Sequence, residues 1–225
     1  METKICASIG ASTIEELEEK VKKALELGAD LIELRLDYLS KIDVNSVSEL
    51  VKEFAEKIIL TLRPTWEGGY FSGREEDRIK LLIEIADASP AYIDVELDVR
   101  DLGKISEEMH EDTSLIISKH DFEGNLTKNQ LRELALKALK FGGIAKVITT
   151  ARDFSDNLKI LSLYNELPPE KLIAFAMGER GVISRILSPL MGAPIAYACL
   201  PGEAVAPGQL TVSELSEFLK LVRGR

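Results

Sequence analysis

Cysteine, histidine and tryptophan are scarce in this chain, at two, two and one among 225 residues. Two cysteines, Cys6 and Cys199, are too few for a disulfide framework. The N-terminus runs almost directly into a strand-like segment with no charged-then-apolar leader pattern, so the chain reads as cytoplasmic. No stretch of 18 apolar residues occurs, which excludes a transmembrane helix. Positive charge is also in short supply: 28 Lys and Arg stand against 38 Asp and Glu, a net charge of −10. That balance argues against general nucleic-acid binding, which needs cations at the phosphates, and against an anionic membrane surface. It leaves room for a local basic pocket. Linkers, low-complexity segments and blocks of like charge are missing too, so a single domain over 1–225 is expected.

What the chain does have is alternation. Strand-like runs at 5–9, 31–36, 58–63, 92–97, 114–118, 145–150, 172–176 and 195–199 alternate with amphipathic stretches. The first helix opens on Thr13-Ile14-Glu15-Glu16, a capping-box pattern, and stops at Gly28. Further helices are predicted over about 46–56, 74–88, 101–110, 127–141, 153–165, from 181, and over 212–222. Mostly apolar strands in strict βα alternation imply a parallel sheet covered by helices. Eight such units, at roughly 28 residues each, match the (β/α)₈ barrel in count and fall near its lean end in length. A doubly wound open sheet is the alternative, but the first turn, Gly10-Ala11-Ser12-Thr13, lacks the glycine fingerprint of that fold.

A barrel of this kind places its chemistry at the C-terminal strand ends. Polar residues cluster there: Glu33 and Arg35 on the second strand, Arg63 after the third with Glu67 four residues on, Asp94, Glu96 and Asp98 on the fourth, Lys119-His120-Asp121 on the fifth, Lys146 on the sixth, Glu179, Arg180 and Arg185 after the seventh, and Pro207-Gly208-Gln209 after the eighth. Lys146 sits among Ala145, Val147 and Ile148 in a strand that should be covered on both faces. Either its stem packs while its tip reaches solvent, or it is a buried amine whose charged form is disfavoured and which can attack carbonyls. His120, directly before Asp121, suits a general acid or base, or simply caps a loop. His110, in a Glu-rich stretch, reads as a solvated helix residue.

Arg35, Arg63 and Arg185 converge on one barrel mouth and suit a carboxylate or phosphate, unless each is spent on Glu33, Glu67 or Glu179. The acids of the fourth strand invite a metal reading, but without histidine at ligand spacing they are better read as holding Arg or Lys side chains. The segments 66–71 and 201–209 read as lids. Cys6 and Cys199 fall on strands that become neighbours when a barrel closes, and two buried thiols are expected there.

Glu33-Leu34-Arg35-Leu36-Asp37, Thr61-Leu62-Arg63-Pro64 with Glu67-Gly68-Gly69, Ser118-Lys119-His120-Asp121-Phe122, Ala145-Lys146-Val147, Met177-Gly178 through Ser184-Arg185, and Ala206-Pro207-Gly208-Gln209 stand in order along the chain. Together they resemble the type I 3-dehydroquinate dehydratase family. The resemblance implies a (β/α)₈ barrel, usually a homodimer, that converts 3-dehydroquinate to 3-dehydroshikimate in the shikimate pathway without metal or organic cofactor. It implies that Lys146 forms a Schiff base, that His120 shuttles protons and that Glu67 orients it. It further implies that Glu33, Arg35, Arg63, Arg185 and Gln209 bind substrate, with Ser8 as an additional contact. Two departures stand out. The stretch Glu203-Ala204-Val205-Ala206 lacks the hydroxyl often found before the Pro-Gly-Gln turn, and the floor of the barrel is left to be closed by side chains. A class I aldolase, with the same lysine chemistry, and an inactive carboxylate-binding barrel are the competing readings.

Overall fold

The computed structural model describes residues 3–100, 102–108 and 112–224, so His110 lies outside the described residues. Among the described residues eight strands alternate with eight α-helices: β1 (Lys4–Ile9), α1 (Ile14–Glu26), β2 (Leu31–Arg35), α2 (Val44–Glu53), β3 (Ile58–Thr61), α3 (Glu75–Ala86), β4 (Tyr92–Glu96), α4 (Leu102–Glu108), β5 (Ser114–Asp121), α5 (Lys128–Leu139), β6 (Ile144–Thr150), α6 (Ser155–Leu161), β7 (Leu172–Met177), α7 (Val182–Leu187), β8 (Ile195–Ala198) and α8 (Val212–Arg223). All ladders are parallel, in the order β7-β6-β5-β4-β3-β2-β1-β8. The sheet thus curls into a nearly closed barrel. Among the described residues no ladder joins β7 to β8; the seam is spanned inside by Phe175 and Tyr197, ring centroids 6.5 Å apart, and above by the Gly178 N–H donating to the Pro207 carbonyl at 3.3 Å.

Strand parity sorts the side chains. Ala145 and Val147 of β6 join the large core between sheet and helices, whereas Ile144 and Ile148 join a second apolar cluster with Cys6, Leu31, Ile59, Ile116, Ile173, Phe175, Met177, Ile195 and Tyr197. Because alternate residues of a strand face opposite ways, that second cluster is the barrel interior. Its members nearest the strand starts, Leu31, Ile59, Ile144 and Ile195, lie toward the floor of the barrel. Lys146 shares its parity with Ile144 and Ile148 and therefore points inward.

Two elements depart from the sequence reading. β5 runs on to Asp121, because Lys119, His120 and Asp121 stay in register with Val147, Ile148 and Thr149 of β6. Of these three, His120 shares the inward parity of Ile148 while Lys119 and Asp121 share that of Val147 and Thr149, so the polar run does not mark the end of the strand. The helix expected over 153–165 gives way after Leu161 to a tighter turn, Ser162–Asn165, ahead of Pro168 and Pro169. At α1 the capping box is half realised: Thr13 accepts from Glu16 N–H, but the Glu16 carboxylate turns to Ser12. Thr127 with Gln130 and Thr211 with Glu214 form complete boxes at α5 and α8. Cys6 and Cys199 are both buried free thiols.

Gly143 sets the entry of β6 with φ near +62°, and a Cβ there would lie 1.8 Å from the Leu115 carbonyl oxygen. Left-handed backbone and a blocked position both penalise a side chain. Gly143→Ala should lower the unfolding free energy by about 2 kcal/mol or more in urea titrations; a change under about 0.5 kcal/mol would show that this turn does not hold the strand.

Candidate active site

The strand ends open into a cavity of about 170 Å³. Ser8, Glu33, Arg35, Arg63, Glu67, His120, Lys146, Arg185 and Gln209 all line it, so every residue singled out as catalytic or substrate-binding reaches one space. They come from β1, β2, β5, β6, α7 and the two loops after β3 and β8. Apolar walls complete it, among them Phe122, Ile148, Phe175, Met177 and Tyr197. Phe175 and Tyr197 were not among the predicted site residues, although both share the inward parity of Ile173 and Ile195.

Lys146 is 5% exposed, which settles against a snorkelling tip. Its Nζ donates to Asp94 at 2.8 Å and to Glu33 at 3.1 Å, and stands 4.1 Å from the centre of the Tyr197 ring. The immediate partners of the amine are thus two carboxylates and an aromatic face. Glu33 and Asp94 are buried, which raises their proton affinity, but the nearby cations, Lys146 foremost for Glu33 and Arg63 for Asp94, win and hold both below the ordinary carboxylate range.

From Asp94 the charges continue in alternation. Arg63 reaches Asp94 at 2.9 Å and Glu96 at 2.7 Å, and Ser118 Oγ, accepting from Arg63 at 2.8 Å, donates to Asp94 at 2.6 Å. Glu96 meets Arg78 of α3 at 2.7 Å, and Arg78 also donates to the Leu62 carbonyl. Arg78 is wholly buried, yet nothing in Glu-Glu-Asp-Arg-Ile-Lys marks it as other than a solvated helix residue. Asp94 and Glu96 thus hold cations, whereas the side chain of Asp98 is 57% exposed and pairs with Lys119 at the rim. Among the described residues no group of three or more His, Cys, Asp and Glu is arranged to hold a metal.

The arginines differ in what they have left to offer. Arg35 is gripped in parallel by Asp37, at 2.9 and 2.7 Å, and Arg63 is committed as described. Neither uses the glutamates expected as partners. Arg185 lies over the Phe175 ring at 4.4 Å and donates to the Pro207 carbonyl at 3.2 Å, but its Nε has no hydrogen-bond partner among the described residues. Burial without a carboxylate lowers its pKa to about 10. Gln209 Oε1 accepts from the Val205 and Ala206 N–H groups and so shapes the loop that roofs the cavity.

His120 is fixed by Glu67 twice: its backbone N–H meets Oε2 at 2.9 Å and its Nδ1 meets the same oxygen at 2.8 Å. Glu67 also takes Lys119 at 2.6 Å. Burial works against the Glu67 charge, but the bonds from His120 and Lys119 outweigh it and keep the carboxyl below its usual range. A carboxylate on Nδ1 assigns the ring proton there and leaves Nε2 as the basic nitrogen. Burial first, then the charges of Arg63 and Lys146, lower the ring's pKa to about 4, although Glu67 pulls upward. The imidazole is thus neutral and able to accept a proton at pH 7.

A sequence model of the type I 3-dehydroquinases matches residues 5–225. The chain belongs to this family. A 3-dehydroquinate dehydratase of Desulfotalea psychrophila is 40% identical over 94% of this chain and 95% of its own length. The 3-dehydroquinate dehydratase structure from Geobacillus kaustophilus superposes with a TM-score of 0.90 at 25% identity, covering 100% of this chain and 92% of its own. That from Aquifex aeolicus gives 0.84 at 33% identity, with 98% of each chain covered. Membership in the type I 3-dehydroquinases sets aside the aldolase and inactive-barrel readings. No helix among the described residues is long and apolar enough to cross a membrane.

The depressed His120 pKa has a thermodynamic signature. Between pH 6.5 and about 4 the unfolded chain binds a proton that the folded ring refuses. The resulting stability is intact above pH 6.5 and is lost as pH falls toward 4, by on the order of 2–3 kcal/mol. Ring NMR, assigned with His120→Asn, should place the midpoint near 4; a midpoint at or above 6.5 would contradict the burial argument. The same variant should flatten the loss of stability across that window.

Proposed function

We propose that this chain dehydrates 3-dehydroquinate to 3-dehydroshikimate through a Schiff base on Lys146, with His120 as general acid and base, in the shikimate route to aromatic amino acids. The observation that carries the reading is an inward, buried amine sharing one cavity with a neutral imidazole. Lys146 gives up a proton and attacks the substrate ketone; loss of water leaves a protonated iminium. That cation draws off charge from the neighbouring C–H, and His120 Nε2 takes the proton. The imidazolium, steadied by Glu67, then delivers it to the departing hydroxyl. Hydrolysis of the iminium frees the product and restores the amine.

Substrate binding falls to Ser8, Glu33, Arg35, Arg63, Arg185 and Gln209. Arg185 is assigned the substrate carboxylate, because it alone of the three arginines has no carboxylate partner among the described residues. Arg35 and Arg63, already held, act as fixed walls that keep the ring in one pose. Glu33 is suited to a substrate hydroxyl once Nζ has moved into the covalent bond. The reaction as written needs no metal or organic cofactor. We read the chain as one catalytic domain over 1–225, acting in the cytoplasm as a homodimer, with no nucleic-acid or membrane partner.

Borohydride reduction in the presence of 3-dehydroquinate, followed by digestion and mass analysis, should place the adduct on the peptide containing Lys146, and Lys146→Ala should abolish it. An adduct on another lysine would sink the assignment. His120→Ala should cut turnover at least about 100-fold while some adduct still forms; unchanged turnover would remove His120 from the mechanism.

A further inference from the structure

Tyr197 lies on β8, a buried residue whose backbone is laddered to Cys6 of β1 and whose ring packs near Phe175. The face of that ring is 4.1 Å from Lys146 Nζ. We propose that Tyr197 is a catalytic residue: its ring face holds the positive charge on the Lys146 nitrogen while the bonds around that nitrogen are exchanged. This rests on the reading that Lys146 forms the iminium.

The argument is one of donor counting. The ammonium has three N–H groups. Two point at Asp94 and Glu33, and the aromatic face covers the nitrogen from another side. In the net reaction the ammonium and the ketone give the protonated iminium and one water, so two of the three N–H hydrogens leave with the carbonyl oxygen. One N–H remains, and at least one of the two carboxylate hydrogen bonds must be given up. The positive charge stays, now spread over carbon and nitrogen. A hydrogen-bond acceptor loses its hold when the hydrogen departs. A ring quadrupole does not, since it attracts the charge and needs no N–H. Burial strengthens this attraction, because water does not compete for the cation. The seat is also rigid: a laddered strand and a neighbouring aromatic fix the ring before the substrate arrives.

The phenol hydroxyl is not part of the device. It is buried and has no hydrogen-bond partner among the described residues. Tyr197→Phe should therefore keep the function, and a side chain of similar bulk without a π face should lose it.

The test measures the single-turnover rate of borohydride-trapped adduct formation with 3-dehydroquinate, alongside kcat. Tyr197→Phe is expected to stay within about two-fold of the parent and Tyr197→Met to fall about 3- to 30-fold. Phenylalanines bearing one, three and five ring fluorines at position 197 keep the shape while emptying the ring face of negative potential. Across that series the trapping rate should fall step by step, which a packing role would not produce. A flat fluorine series, or a Met variant as fast as the Phe variant, overturns the inference. The series stays decisive even if the Met variant does not fold. Failure of the parent chain to trap at Lys146 would instead bring down the Schiff-base reading, and the two failures are told apart by the parent chain's own peptide map.

Discussion

An ammonium ion enclosed in a barrel of Ile, Phe and Met would not survive without carboxylates within hydrogen-bond reach, and this need organises the site. Lys146 requires Asp94 and Glu33; Asp94 in turn requires Arg63; Arg63 requires Glu96; and Glu96 requires Arg78. Three buried anions and three buried cations alternate, so no charge is left to face a low dielectric alone. The chain of charges runs from the buried amine of Lys146 to α3, outside the barrel wall. Removing an internal link would strand a buried charge, at a typical cost of about 3–5 kcal/mol. Chemistry and stability therefore draw on the same contacts.

The eight βα units and eight of the nine predicted residues around the cavity were legible from alternation and strand-end position, because period-two patterning and barrel geometry are local rules; Ser8 entered only with the family resemblance, and strand position alone left the direction of Lys146 open. What was not legible depended on partners distant in sequence. Arg78 looks like any charged helix residue until Glu96 is placed behind it. Asp37, rather than a glutamate, holds Arg35 because the chain turns immediately after β2. Tyr197 reads as an ordinary core aromatic, and only the approach of Lys146 from β6 gives its face a role. The length of β5 was misjudged for a related reason: polar residues inside a barrel mouth do not end a strand when the neighbouring ladder continues.

The acidic surface deserves weighing against the proposed substrate, which is itself an anion. At −10 overall, the chain repels carboxylates at long range. Salt reduces that repulsion beyond about 8 Å at physiological ionic strength. Inside the cavity the local picture differs, since Arg185 is the guanidinium without a carboxylate of its own. Capture is thus a short-range event.

The seam between β7 and β8 gives the barrel an uneven stiffness. Seven of its strand boundaries are tied by backbone bonds and shift only as a unit, but here the circumference is bridged by two rings and a loop contact. Both rings belong to the walls around the amine, and the loop contact joins the two segments that carry Arg185 and Gln209. Along this line the mouth of the barrel is framed by side chains and a single loop bond, with no strand ladder among the described residues.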